Sequence, residues 1–324
     1  MRYSILLAAG TLVGLAAVAP ELAAQPDRNS GTWEAELRWR PRQNAGRVLW
    51  IHFDAESGRT RRDREFGFTM KVSELSGLAA NDSRWSGPAR FELRRDAGVL
   101  RFEGEFQDGL GEGTWTFEPN EQFRSGLGLD HELDPDEWLA MLIHNVRTDW
   151  ARGLRQAGVE SEDADDLIAM RIHGVDPEFA RELAALGYRN PSSDKLVALR
   201  IHQVDPDFIR GIRESVDQSL DLDELVSFRI HKVTPEFVRE ISTLGYSHPD
   251  PDELVAMRIH GVTPAFIRSI TETGLKNIDL DELVAFRIHR VDADFVKEAV
   301  REGVRLDPDD IVSYRIHGRR RPGR

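Results

Sequence analysis

A chain of 324 residues with 40% hydrophobic and 31% charged side chains has the composition of a folded protein with room for two domains. It holds no cysteine, which excludes disulfides, thiolate zinc sites and cysteine nucleophiles. Its net charge of −13 is uneven: residues 25–130 carry 16 basic and 18 acidic side chains, whereas residues 131–314 carry 21 and 37. An acidic body repels nucleic acid and anionic membrane, so neither is an expected partner.

Residues 1–24 read as a secretory signal peptide, with basic Arg2, an apolar run from Ile5 to Ala19, and small Ala23 and Ala24 before Gln25. The run is shorter than the roughly 20 residues that span a bilayer, so no stable membrane insertion is expected after cleavage. The expected location is periplasmic or extracellular, with an uncleaved N-terminal anchor as the alternative.

Residues 25–118 carry strand signals. In "TWEAELRW" Trp33, Ala35, Leu37 and Trp39 alternate with charge, and "RVLWIHF" and "FGFTMKV" follow as short aromatic and β-branched runs. "ARFELRRDAGVLRFEGEFQDGLGEGTWTFEPN" reads as three strands with turns at Asp96-Ala97-Gly98 and Asp108-Gly109. The expectation is about six antiparallel strands in a small barrel or sandwich, with "SGRTRRDREFG" as an exposed hairpin loop. Gly109, Gly111 and Gly113 lack the strand-to-helix setting of a phosphate loop; they mark a bulge or a close backbone approach against an aromatic. Trp33, Trp39, Trp50 and Trp115 are candidate ligand contacts if the barrel is hollow, and simple core filling if it is not.

Residues 119–133 read as a linker, and residues 134–317 as an array. His144, His173, His202, His231, His260 and His289 stand 29 residues apart, with His317 after 28. Phe179, Phe208, Phe237, Phe266 and Phe295 keep the same period, as do Gly158, Gly187, Gly245, Gly274 and Gly303. Such self-similarity predicts five full units with degenerate or truncated ends. Within a unit, "LDLDELVSFRIHKV" has an Asp cap and an acidic first turn, and "TPEFVREISTLGY" opens on Thr234 and Pro235 and stops at Gly245. Each unit is therefore two short helices that persist only by stacking, giving an α+β multidomain chain that ends in an α-solenoid. Residues 318–324 form a basic tail, solvated and frayed.

The stretches "DELVAMRIHGVTPAFIRSI" and "DDLIAMRIHGVDPEFARELAALGY" resemble a helical repeat of bacterial exported proteins, seen also in extracytoplasmic parts of β-lactam-sensor-type membrane zinc metallopeptidases. "FEGEFQDGLGEGTWTFEPNEQF" resembles the β domain that precedes such repeats. The resemblance implies an exported repeat protein without a settled activity. It does not imply the peptidase, because "HELDP" at His131 has Pro135 where the second zinc histidine belongs.

Stacked helices lie about 8–10 Å apart, so equivalent histidines are too distant to share one metal ion, and no metal or cofactor is called for. Acidic stretches such as "DHELDPDE" are explained by helix starts. On an ideal wheel Leu222, Leu225, Val226, Ile230 and Val233 fall in one sector of about 140° with Arg229 near its middle and His231 on the far side. A cation in an apolar stripe needs a partner. Arg171, Arg200, Arg229, Arg258 and Arg287 are thus expected to form a buried Arg–carboxylate ladder that fixes repeat register, the alternative being arginines that leave the stripe for solvent and a binding partner. Arg181, Arg210, Arg239, Arg268 and Lys297 are read as outward charges, with a partner surface as the second reading.

No catalytic residue is assigned. The expected function is a non-enzymatic, exported scaffold whose acidic repeat surface favours a basic protein partner. The alternatives are a small-molecule or glycan sensor built on the β domain, and a hydrolase using histidine and carboxylate.

Overall fold

The computed structural model describes residues 29–40, 46–55, 64–161, 163–216 and 219–318. The signal segment, most of the charged loop expected at 57–67, and residues 319–324 of the tail lie outside the described residues. Two compact units are present: the sheet through Leu93 with Leu100–Glu118, and the hairpin tip Arg94–Val99 with the helices from Pro119 onward.

The first unit is built from Ser30–Arg40 (β1), Gly46–Ala55 (β2), Arg64–Lys71 (β3), Leu75–Ser76 (β4), Gly87–Arg95 (β5), Gly98–Gln107 (β6) and Leu110–Pro119 (β7). These seven strands form one antiparallel sheet in the order β3-β2-β1-β7-β6-β5-β4, curled as a half-barrel. It is a single layer and not a sandwich, and among the described residues it has one strand more than the sequence suggests, the two-residue β4. Alternation sets the faces: Trp33, Ala35 and Leu37 of β1, Leu49, Ile51 and Phe53 of β2, and Trp115 and Phe117 of β7 are buried.

The core is an aromatic cluster. Trp33 meets Phe91 edge-on with centroids 5.5 Å apart and Phe102 at 6.0 Å, and Phe53 meets Trp115 at 5.2 Å. Each buried indole needs an acceptor for its N–H, and glycine gives it room to reach one. Trp33 Nε1 donates to the Thr114 carbonyl at 3.1 Å, beside Gly113, where an added Cβ would lie 2.0 Å from the Glu103 carbonyl oxygen. Trp115 Nε1 donates to the Asp54 carbonyl at 2.9 Å, and a Cβ on Gly31 would lie 2.8 Å from that nitrogen. A Cβ on Gly111 would meet the Phe106 ring at 2.5 Å.

The second unit holds the helices Glu121–Leu127 (α1), Pro135–Ile143 (α2), Thr148–Gln156 (α3), Ala164–Ile172 (α4), Pro177–Ala185 (α5), Ser193–Ile201 (α6), Pro206–Arg213 (α7), Leu222–Ile230 (α8), Pro235–Thr243 (α9), Pro251–His260 (α10), Pro264–Thr271 (α11), Leu280–Ile288 (α12), Ala293–Arg301 (α13) and Pro308–His317 (α14). From α2 onward even-numbered helices open each repeat and odd-numbered helices close it. Each even helix packs against the next even one, and the odd pairs α1–α3, α3–α5, α5–α7, α7–α9 and α11–α13 pack likewise, as stacking requires.

Local chemistry explains the boundaries. Asp134, Asp221, Asp250 and Asp279 start even helices through capping boxes with Glu137, Glu224, Glu253 and Glu282. Asp176, Asp205, Thr234 and Thr263 cap odd helices, each followed by proline in the first turn. Each such cap contributes about 1 kcal/mol. Gly187, Gly245 and Gly274 take positive φ beyond odd helices.

One expectation changes here. The segment 119–133, read as a linker, contains α1: Asn120 caps it by accepting from the Gln122 N–H, Phe123 and Leu127 are buried one turn apart, and Gly128 ends it in the left-handed region. Helix α1 packs on α3 as α3 packs on α5, so it is the closing helix of an incomplete leading repeat. The sequence hid it because the Phe123 spacing to Trp150 departs from the 29-residue period.

Candidate functional site

The arginine ladder joins neighbouring repeats. In α8 the buried residues are Leu225 and Phe228, while Leu222 and Val226 are half-buried and Ile230 is exposed. Leu225 and Val233 of the expected sector are buried, but Phe228 replaces Leu222, Val226 and Ile230 as the other buried side chain, which centres the buried face of α8 itself roughly 100° from the middle of that sector. Phe228 and its equivalents Leu199, Met257 and Phe286 are fully buried, and this places the preceding-repeat contact at Arg229 and sends Ile230 to solvent.

Each ladder arginine reaches one repeat back. Arg171 Nε donates to the Asn145 carbonyl at 3.1 Å, Arg200 Nε to the Gly174 carbonyl at 2.8 Å, Arg258 Nε to the His231 carbonyl at 3.4 Å and Arg287 Nε to the His260 carbonyl at 3.2 Å. Arg315 continues the pattern with the His289 carbonyl at 3.2 Å. The guanidinium therefore caps the C-terminal end of the previous even helix, where carbonyls lack partners and the helix dipole is negative. The ladder guanidiniums lie over the aromatic ring of the previous odd helix, from Arg229 over Phe208 at 3.9 Å to Arg171 over Trp150 at 5.8 Å.

Carboxylates take part in two steps: Arg200 pairs with Asp176 at 2.8 Å and Arg229 with Asp205 at 3.5 Å. Arg171, Arg200, Arg229 and Arg258 are half-buried and Arg287 is exposed, so the ladder is not the buried one expected, and its common partners are carbonyls and rings, with the carboxylate an occasional addition. The common acceptors are carbonyls at the end of the preceding even helix, where the sequence pattern predicts carboxylates.

The histidines occupy the ends of even helices. His144, His173, His202, His231 and His289 are the C-cap residues, and His260 and His317 are last helical residues before a glycine C-cap. Among the described residues no group of three or more His, Asp or Glu is placed to hold a metal ion.

What the even helices turn outward is less expected. Ile172, Ile201, Ile230, Ile259, Ile288 and Ile316 are each between 51% and 56% exposed. They occupy the same position in six successive repeats, immediately before the histidine. No family model matches this chain, and no curated protein matches it. The molecule's own repetition is therefore what marks this row: a large β-branched side chain held half in water, unit after unit.

The other predicted positions are dispersed. Arg181, Arg210, Arg239, Arg268 and Lys297 are all exposed on the odd helices. Arg210 pairs with Asp207, Arg239 with Glu236 at 3.5 Å, and Lys297 with Asp294 at 3.9 Å, all one turn apart on their own helices. Such pairs contribute little to stability and belong to a solvated face.

The tryptophans do not come together. Trp33 and Trp115 fill the core, Trp50 lies half-buried on the opposite face of the sheet, and the side chain of Trp39 lies outside the described residues. Trp50 borders a shallow depression of about 590 Å³ with Glu34, Glu36, Glu105, Leu110 and Glu112. The Arg38 guanidinium already lies 5.4 Å from the Trp50 ring centroid and hydrogen-bonds Glu36, whose pKa that bond lowers. Glu34 stands directly opposite Glu112 across the β1–β7 pair, a like-charge juxtaposition. Sequence reasoning missed the isoleucine row because it placed Ile230 in the apolar sector. The signal was present in the invariance of Ile beside the variable residue two positions on: Gly174, Gln203, Lys232, Gly261, Arg290 and Gly318.

Proposed function

We propose that this chain is an exported, non-enzymatic repeat protein that serves as a protein-interaction scaffold in the cell envelope. The observation that carries the reading is the isoleucine row, a line of large apolar side chains kept in water at one position in six repeats. Single exposed apolar residues are ordinary, but an aligned series on stacked helices forms a continuous strip of the kind partner proteins cover. The leader "MRYSILLAAGTLVGLAAVA" supports export, and the resemblance of the repeats to those of bacterial exported proteins agrees with it. The test is capture and crosslinking in the native cell envelope, with photocrosslinkers placed on the even helices and, separately, on the odd helices and the sheet. A specific partner crosslinked from the even-helix face is the expected result; crosslinks confined to the sheet, or none, would count against the reading.

A further inference from the structure

We propose that the isoleucine row docks a cationic, amphipathic segment of another protein, which lays aliphatic side chains along the isoleucines and basic side chains over a parallel row of aspartates. The inference rests on the scaffold reading and names the chemistry of its partner.

The geometry begins on one helix face. In α8, Asp223 and Ile230 are seven residues apart, two turns or about 10.5 Å along the axis. Between them lie Val226 and Ser227, both half-buried. The equivalents of Ser227 are the small residues Ala169, Ala198, Ala256 and Ala285, so the face between acid and isoleucine is shallow. Asp165, Asp194, Asp252, Asp281 and Asp309 repeat Asp223 and are likewise exposed; Asp223 is already paired with Lys195 of the preceding even helix, an exposed ion pair that a partner's cation can replace at little cost, and no such pair holds Asp194 or Asp252 among the contacts of the described residues. Since even helices stack on even helices at about 8–10 Å, the array presents two parallel rows, one apolar and one anionic, about 10 Å apart.

Folding explains one row and not the other. An aspartate in the first turn of a helix is favoured by the dipole, so the acidic row alone indicates nothing. An isoleucine in the last turn is different. It is a poorer helix former than Ala, Leu or Lys, and half of its surface stays in water. The position two residues later runs from glycine to arginine even though it is held at positive φ, as at Gln203, Lys232 and Arg290, so the turn admits several different side chains. Constancy where folding asks for little points to an occupant.

Charge selects which occupant. Residues 131–314 carry 37 acidic against 21 basic side chains, so a second copy of this face would approach against its own charge. A segment with basic side chains beside an aliphatic stripe meets both rows at once. Six isoleucines at about 8–10 Å span roughly 40–50 Å, which a helix of about 30 residues matches.

The test titrates the full chain with a fluorescent 28-residue Lys/Leu amphipathic helix, with a Lys/Ser peptide of equal charge, and with a Glu/Leu peptide of equal apolar face. The variants are the triple substitution Ile201→Thr, Ile230→Thr, Ile259→Thr and the triple Asp194→Asn, Asp223→Asn, Asp252→Asn. Expected is binding of the Lys/Leu peptide, weakened about tenfold or more by each triple at an unchanged unfolding midpoint, with both control peptides weaker by a similar factor. If the isoleucine triple shifts the midpoint, Ile230→Thr alone is compared. Equal binding by wild type and isoleucine variant, or equal binding of the Lys/Ser peptide, overturns the proposal. So does a dimer that the isoleucine triple converts to monomer in sedimentation, since a second copy then covers the row. Envelope capture that survives the isoleucine triple sinks this proposal while leaving the scaffold reading intact. The reverse pattern, isoleucine-dependent peptide binding with no envelope partner, supports the strip and removes the scaffold reading.

Discussion

The guanidinium carbon of Arg229 sits 3.9 Å from the ring centroid of Phe208 in the preceding repeat, while its buried Nε has no hydrogen-bond partner. Arg287 makes the opposite compromise: its Nε donates to the His260 carbonyl, and its guanidinium lies further from Phe266, at 5.0 Å. Arg200 has all three contacts, a carbonyl, Asp176 and the Phe179 ring. A hydrogen bond of this kind contributes about 1 kcal/mol or less where it is exposed, and an unsatisfied buried donor costs about 1 kcal/mol or more. Substitution by Met should therefore cost most at Arg200, less at Arg287 and least at Arg229, with steps of about 1 kcal/mol, as read from urea unfolding followed by far-UV circular dichroism. Equal costs would contradict the assignment of contacts, and no cost at any of the three would remove the role in repeat register.

The sheet makes a sharper demand on glycine than the helices do. Gly113 lies where the Trp33 indole passes to the Thr114 carbonyl, and an added methyl would stand 2.0 Å from the Glu103 oxygen. Gly113→Ala must push the β6 backbone away, and with it the Glu103 carbonyl that lies 3.3 Å from the Trp33 Nε1, at a cost of about 2 kcal/mol or more. The expected signature is a lower unfolding midpoint followed by tryptophan fluorescence, accompanied by a red-shifted native spectrum. A variant as stable as wild type would mean the strands separate freely at this point.

How much of this was written in the sequence depends on whether a feature is local. Caps such as Asp221 with Glu224, Pro235 after Thr234, and the stop at Gly245 are decided within a few residues, and the helices begin and end where those signals stand. The inward alternation of Trp33, Ala35 and Leu37 is local in the same sense. Partners across repeats are not. Arg229 finds Phe208 and Asp205 more than 20 residues back, and a single-helix wheel knows nothing of that neighbour. The wheel scored Ile230 as apolar and therefore inside, although the burial of Phe228 by the adjoining repeats turns Ile230 out. Residue type alone groups Trp50 with Trp33, whereas its place between inward Leu49 and Ile51 puts it on the other face.

Tyr188 ties one repeat to the next by donating its hydroxyl to the Leu220 carbonyl at 2.8 Å, and Tyr246 repeats the contact with Ile278 at 2.8 Å. Tyr188→Phe and Tyr246→Phe should each destabilise by about 1 kcal/mol, and together by about the sum, since the two bonds share no residue. Burial raises the pKa of both phenols above 10.0. A group whose folded pKa is raised stabilises below the unfolded value and loses that contribution as pH rises through the folded one. Wild type should thus lose stability above pH 10 more steeply than the double Phe variant in alkaline thermal scans; parallel curves would place the hydroxyls in solvent.

His144 gives the acid counterpart. Although His144 reaches solvent, the protein packed beside its ring desolvates it in part and lowers its pKa below 6.5, and the charge of Arg95 lowers it further; that guanidinium is fixed nearby by donating to the Leu142 carbonyl at 2.8 Å and the Ile143 carbonyl at 2.6 Å. Arg95 thus caps α2 from the hairpin tip, while Arg171 reaches the next carbonyls of the same helix end. A base with a depressed folded pKa is carried neutral in the native state. As pH falls through 6.5 the unfolded chain takes up a proton that the folded chain refuses, so stability is lost on the acid side and is intact above it. His144→Gln keeps a polar side chain at the C-cap without that proton. The melting temperature of the variant relative to wild type should rise steadily between pH 7.5 and pH 5.5, and Arg95→Met in the wild-type background should reduce the acid loss by removing the neighbouring charge. A constant offset between His144→Gln and wild type across that range would show that His144 titrates alike in the folded and unfolded chains.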